Sequence, residues 1–405
     1  MLVAIFGYVI DGTNCVSYVN RMSIIKIMMK LSDEQLLQTF LLLCYPQTPA
    51  ETLAAKLADG INEERLKWLI NRHRVWNLVA AVISKLDSQF FSTDFRQWLQ
   101  GASARRQQQT LLQFKVQSEL AKALDEIGVK YQFFKGIDLS LRLYGDLNGR
   151  YSRDIDLLVS DSDAIAAERI LIDYGYTPLN DAFTDTAPGQ VIRGSFFKDK
   201  SYQASGLSVI ELHTRVNNED TAFSKAVTEA LLAGGQPLNV LEYLYLCVHA
   251  MKSNCHRVKW LIDLACYYEK LNQQMPNWHA QKWREAKKFA VVRQVIACEY
   301  LMAQCLGITV EPKRFIGLQS YSNWVMGTWL DEYSSLISLK RVGLPMLMNG
   351  QFEHRLKAIN LLLFCPNDAD VAFINRYASG DGRLLSLLLP FRKLSRYTKK
   401  KLLGA

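Results

Sequence analysis

The sequence predicts an α+β chain, with its strands confined to the middle between two all-helical stretches. Three observations carry this. Apolar residues recur at helical spacing from about residue 32 to 106 and again from about 237. Short alternating or apolar runs bounded by turn residues lie at 129–134, 154–159, 191–198 and 207–213. Glycine or charged breaks separate these runs from the helical segments between them.

In chain order, Ser32-Asp-Glu-Gln35 forms a capping-box pattern ahead of Leu36, Leu37, Phe40 and Leu41. Further helices are expected near 50–59, 62–71 and 74–86. Gln107 to Ile127 reads as a long amphipathic helix closed by Gly128. Strand 129–134 runs into Lys135-Gly136, and Ile137, Leu141 and Tyr144 then mark one side of a helix. A strand end feeding a helix N-terminus presents free backbone N–H groups to an anion, with Lys135 beside them.

Strand 154–159 carries the most informative residues. Side chains alternate along a strand, so Asp154 and Asp156 share one face while Ile155, Leu157 and Val159 share the other. Two neighbouring carboxylates repel unless a cation lies between them, and hard Mg²⁺ prefers carboxylate oxygen. Arg150 and Arg153 precede the pair and suit phosphate oxygens. In strand 207–213, Glu211 and His213 share a face opposite Ile210 and Leu212, and an acid within an apolar strand needs a partner. A helix from about Asp163 to Tyr174 ends at Gly175, and 177–189 reads as a loop beside the site.

The chain has 405 residues, enough for two or three domains, and is 49% hydrophobic. Its net charge of +9 favours anionic partners. Eight cysteines form no Cys-x-x-Cys pair, so buried free thiols in a reducing cytoplasm are expected and zinc is not. The opening Met1 to Ile10 is apolar but short and lacks a basic lead, which argues against a secretory signal. Residues 1–31 read as poorly structured or as a start placed too early. No apolar run reaches membrane-span length. Beyond Gly382 there is no acidic residue, and this basic tail is expected to fray or to touch a membrane surface weakly.

Phe134-Lys135-Gly136, Leu143-Tyr144, Arg150, Asp154-Ile-Asp156-Leu-Leu-Val159, Tyr174-Gly175-Tyr176 and Ile210-Glu211-Leu-His213 together resemble the DNA polymerase beta-like nucleotidyltransferase superfamily. More narrowly, they resemble its bacterial family of uncharacterised nucleotidyltransferases, as do His73-Arg-Val75 and the block from His249 to Leu264. The resemblance spans roughly residues 33 to 330. It implies a nucleotidyltransferase-type mixed β-sheet core with flanking helices at 107–236. An N-terminal helical region at 32–106, a C-terminal helical domain at 237–380 and a tail at 381–405 complete the expected organisation.

The resemblance also implies a Mg²⁺-dependent transfer (Mn²⁺ the alternative) of NMP from an NTP such as ATP to an acceptor hydroxyl. Asp154, Asp156 and Glu211 would be the catalytic and metal-binding residues. Lys135, Gly136, Arg150 and Arg153 would bind the nucleotide. His213, His249, Lys259 and Asp263 are candidates for touching the acceptor or supporting the site. The acceptor is expected to be a small or sugar-linked molecule in the cytoplasm. The alternatives are a protein, peptide or tRNA acceptor, as in antitoxin-like relatives, or a non-catalytic nucleotide-binding scaffold. An RNA partner is less favoured, since interleaved basic and aromatic strand residues are lacking. One departure concerns the superfamily's Gly-Ser turn: here it is Lys135-Gly136-Ile137, which offers no serine hydroxyl.

Overall fold

The computed structural model describes residues 33–179 and 198–331, apart from 219, 235–237, 312 and 315, together with Pro390 and Phe391. Ser32, most of the basic tail and nearly all of the strand expected at 191–198 lie outside the described residues.

The N-terminal helices are α1 (33–44), α2 (Ala50–Leu57), α3 (Glu63–His73) and α4 (Trp76–Ile83). Helix α5 (Thr93–Glu126) is 34 residues long and starts well before Gln107. Its true N-cap is Ser92, whose side chain accepts from the Phe95 N–H. Gly101 inside it costs some helix propensity, but burial of Phe95, Leu99 and Ala102 holds the turn. The boundary expected at 106/107 therefore falls within one continuous helix.

The sheet order is β1-β2-β5-β4-β3, formed by β1 (Tyr131–Phe133), β2 (Asp154–Val159), β3 (Thr177–Pro178), β4 (Asp199–Gln203) and β5 (Val209–His213). Strands β2 and β5 are parallel and the other pairs antiparallel, so the sheet is mixed. Helix α6 (Gly136–Tyr144) joins the β1 side to the approach to β2, and α7 (Ala164–Asp173) follows β2. The C-terminal helices are α8 (Ala222–Ala233), α9 (Val240–Lys252), α10 (Val258–Gln274), α11 (Trp278–Lys288), α12 (Val292–Leu306) and α13 (Leu318–Leu330).

The two sheet faces have different partners. Ile155, Leu157, Val159, Ile210 and Leu212 pack with Leu120 and Leu124 of α5 and Leu171 of α7. Phe134 and Leu158, on the other face, join a larger core built from the N- and C-terminal helices together. The two helical regions are thus one packed body behind the polar face of the sheet. His73 ties them: its Nδ1 accepts from the Val258 N–H at 3.1 Å, and its Nε2 donates to the Trp329 carbonyl at 3.1 Å. Burial pushes this imidazole down to about 3, so it serves as a neutral bridge. Among the described residues, no helix is long and apolar enough to cross a membrane. Cys44, Cys247, Cys255, Cys266, Cys298 and Cys305 are free thiols.

Candidate active site

Strand register places the acids. Asp156 pairs with Glu211 across the parallel β2–β5 ladder, and Asp154 pairs with Val209. Laterally paired residues share a face, so Asp154, Asp156, Glu211 and His213 all project from the one opposite Ile155 and Leu157. Ligand atoms of Asp156, Glu211 and His213 lie within 4.8 Å of one another. Asp154 stands outside this close cluster, and its Oδ1 accepts from the Ser152 hydroxyl at 2.8 Å.

Asp156 is only 5% exposed. Its Oδ1 receives the Lys135 ammonium at 3.0 Å and His213 Nε2 at 3.1 Å. Burial alone raises a carboxyl's pKa, but Lys135 and His213 together pull Asp156 well below the usual range. Lys135 is itself buried; Asp156 and the Tyr245 hydroxyl more than offset that and keep it firmly protonated. Both bonds end on Oδ1, and among the described residues none reaches Oδ2.

His213 has two distinct nitrogens. Nδ1 meets the Lys198 ammonium at 3.3 Å. An ammonium only donates, so Nδ1 accepts and Nε2 carries the hydrogen. Nε2 then donates towards Asp156 at 3.1 Å and lies 3.3 Å from Glu211 Oε2. In this arrangement the imidazole holds the two carboxylates rather than offering a lone pair to a metal. The remaining donors are carboxylate oxygens, which fit a hard cation such as Mg²⁺. Lys198 also lies 3.6 Å from Glu211 and 2.9 Å from Asp199, whose carboxyl burial would raise but Lys198 and His213 pull down to about 2. The two ammonium groups supply the positive charge that this acid-rich face needs.

The turn before α6 is strained. Lys135 has φ 57° and ψ −138°, a region that side chains rarely occupy, and Gly136 follows at φ 36°. Such a conformation aims the Lys135 side chain at Asp156 while its carbonyl starts the helix, accepting from the Leu139 N–H at 2.7 Å.

The other expected residues take distinct places. Arg150 donates from Nε to Asp263 Oδ2 at 2.7 Å, and the Tyr144 hydroxyl donates to Asp263 Oδ1 at 2.7 Å. This buried group fastens the approach to β2 onto α10. Gly149 is needed beside it, because a Cβ there would come within 2.6 Å of the Tyr144 Cβ. Arg153 is exposed next to Asp154. His249 lies between Tyr245 and Trp260, at ring-centroid distances of 6.0 and 5.3 Å, and burial, then Lys135, drives it well below its ordinary value. Lys259 donates to the Tyr151 carbonyl at 3.1 Å. The sequence reading missed Lys198, Ser152 and Tyr245. Ser152 lies two residues before Asp154, a local signal, whereas Tyr245 reads as one more residue of an apolar helical stripe.

Lys259 carries a testable consequence. Burial first, then Arg150, pushes its ammonium from 10.5 down to about 7. The folded state therefore binds fewer protons than the unfolded chain between these values, and stability rises with pH across that window. Denaturant unfolding at pH 7 and pH 10 should show wild type gaining on Lys259→Met at the higher pH. An equal gap at both values contradicts it.

No curated protein and no solved structure matches this chain. The family model described as "Uncharacterised nucleotidyltransferase" matches residues 59–307. That span takes in α3, the Lys135-Gly136 turn, both acid-bearing strands and helices α8 to α12, and the chain belongs to this nucleotidyltransferase family.

Proposed function

We propose that the protein transfers NMP from an NTP to an acceptor hydroxyl, with Asp154, Asp156 and Glu211 as the acids of the reaction. The observation that carries this reading is the pairing of Asp156 with Glu211 across adjacent parallel strands, two positions from Asp154 on the same face. A divalent cation held by these carboxylates would neutralise the phosphate charge and make the acceptor hydroxyl more acidic. Lys135 holds Asp156 in its ionised form. The free N–H groups at the start of α6 suit the triphosphate. Glu211, with its side chain 27% exposed, is the acid best placed to take the acceptor's proton. The acceptor is a small or sugar-linked molecule in this reading.

Label placement tests it. An NTP labelled at the α-phosphorus, given Mg²⁺ and a pool of hydroxyl-bearing metabolites, should pass its label to an acceptor, while γ-label leaves as pyrophosphate. Release of γ-label as orthophosphate with no α-transfer would overturn the reading.

A further inference from the structure

Three arginines from distant parts of the chain sit on segments that packing brings together near Asp154. Arg74 ends α3, Arg153 immediately precedes β2, and Arg257 immediately precedes α10. The packing that joins them is explicit. Arg257 Nη1 donates to the Arg72 carbonyl at 2.6 Å, and the next residue, Val258, bonds His73. Lys259 bonds the Tyr151 carbonyl, two residues before Arg153.

Burial first, then Arg153, lowers Arg74; burial, then Arg74 and Arg72, brings Arg257 down to about 10. Asp154 is the carboxylate that counters Arg74, and it already accepts from Ser152. Asp263, a buried acid on α10, is committed to Arg150 and Tyr144.

Two further observations point to a ligand. Arg150 is 6% exposed, yet its Nη1 is buried and has no hydrogen-bond partner among the described residues. A buried guanidinium N–H left unbonded is costly. Arg74 holds a left-handed conformation, φ 59°, at a helix C-terminus where glycine is the favoured residue. The chain keeps a guanidinium there at a conformational cost.

We propose that Arg74, Arg153 and Arg257 form a basin beside Asp154 that binds a phosphate group of the substrate. Planar guanidinium forks match phosphate oxygens, and an anion there removes the mutual repulsion of the three cations. The inference rests on the nucleotidyl-transfer reading for what the phosphate is attached to. It is either the polyphosphate tail of the NTP or a phosphate on the acceptor.

The test is calorimetric titration of inorganic tripolyphosphate and orthophosphate into the full chain in EDTA, and of an NTP analogue in Mg²⁺. The variant is Arg74→Gly with Arg153→Gln: glycine keeps the helix cap, and Arg153 is exposed, so folding is preserved. A charge-matched control, Lys122→Gln with Lys130→Gln, removes two exposed lysines, Lys130 preceding the strand end that pairs with Val159. We expect phosphate or tripolyphosphate binding at least about tenfold weaker in the arginine variant and unchanged in the control. If Mg²⁺-supported NTP binding weakens in parallel, the basin holds the triphosphate tail. If it does not, the acceptor carries the phosphate. No binding to wild type, or equal loss in both variants, overturns the basin. Mg²⁺-dependent NTP binding with arginine-insensitive phosphate binding would leave the transferase reading and remove the basin; the reverse pattern would remove the transferase reading alone.

Discussion

Glu211→Gln is expected to lower nucleotidyl transfer about 10³-fold, equivalent to about 4 kcal/mol of transition-state stabilisation, while leaving the unfolding midpoint near that of wild type. The two effects separate because of where Glu211 sits. Its side chain is 27% exposed, and its cationic contact with Lys198 spans 3.6 Å. A long, partly exposed pair of this kind contributes about 1 kcal/mol or less. Glutamine keeps the size and one acceptor oxygen but removes the charge that a cation and a proton both need. Asp156→Asn should behave differently. It would also abolish transfer, but it leaves Lys135, 9% exposed, without its charge partner. Removing one member of a buried pair costs about 3–5 kcal/mol. Unfolding and turnover measured on both variants decide the matter. Substantial transfer by Glu211→Gln would contradict the assignment, and an undiminished stability of Asp156→Asn would contradict the buried pair.

The second large effect concerns the fastening of the acid strand to the C-terminal helices. Asp263→Asn is expected to destabilise the protein by about 3–5 kcal/mol, because Arg150 stays buried with its countercharge gone. Arg150 and Asp263 are 6% and 3% exposed. The double replacement Arg150→Met with Asp263→Leu should recover most of that loss, since a packed apolar pair needs no desolvated charge. A denaturant double-mutant cycle reads the coupling directly. Transfer should stay impaired in the recovered protein. Arg150 is followed within four residues by Asp154, and Tyr144 shares the same acid. A loss below about 1 kcal/mol in Asp263→Asn would show the pair to be solvated.

Much of this site was legible before any coordinates. Alternation along 154–159 and 207–213 put Asp154, Asp156, Glu211 and His213 on polar faces, and the observed register joins them as one. The resemblance around Lys135-Gly136 and the acids matches the family found for residues 59–307. Local periodicity could not reveal contacts between distant segments. The Arg150–Asp263 bond links residues 113 apart, and Lys135 reaches Asp156 across 21. His213 was readable as a polar strand residue, but its orientation depends on Lys198, 15 residues away on another strand's approach, a contact that local pattern does not show. Helix α5 was read too short because Gly101 and the polar run at 105–109 interrupt its stripe, while tertiary packing carries it through. Strand β4 was missed because Asp199-Lys-Ser-Tyr-Gln203 buries only Tyr202, so it shows no alternation of apolar residues.

The most direct test of the carboxylate centre is calorimetric titration of non-hydrolysable analogues of the four nucleoside triphosphates into wild type and Asp154→Asn/Glu211→Gln protein, each in Mg²⁺ and in EDTA. At least one nucleotide should bind wild type in Mg²⁺, with affinity falling at least about tenfold in EDTA and in the variant. Binding that is equal in all four conditions, or absent from folded wild-type protein, would contradict a metal-assisted nucleotidyl-transfer site on Asp154, Asp156 and Glu211.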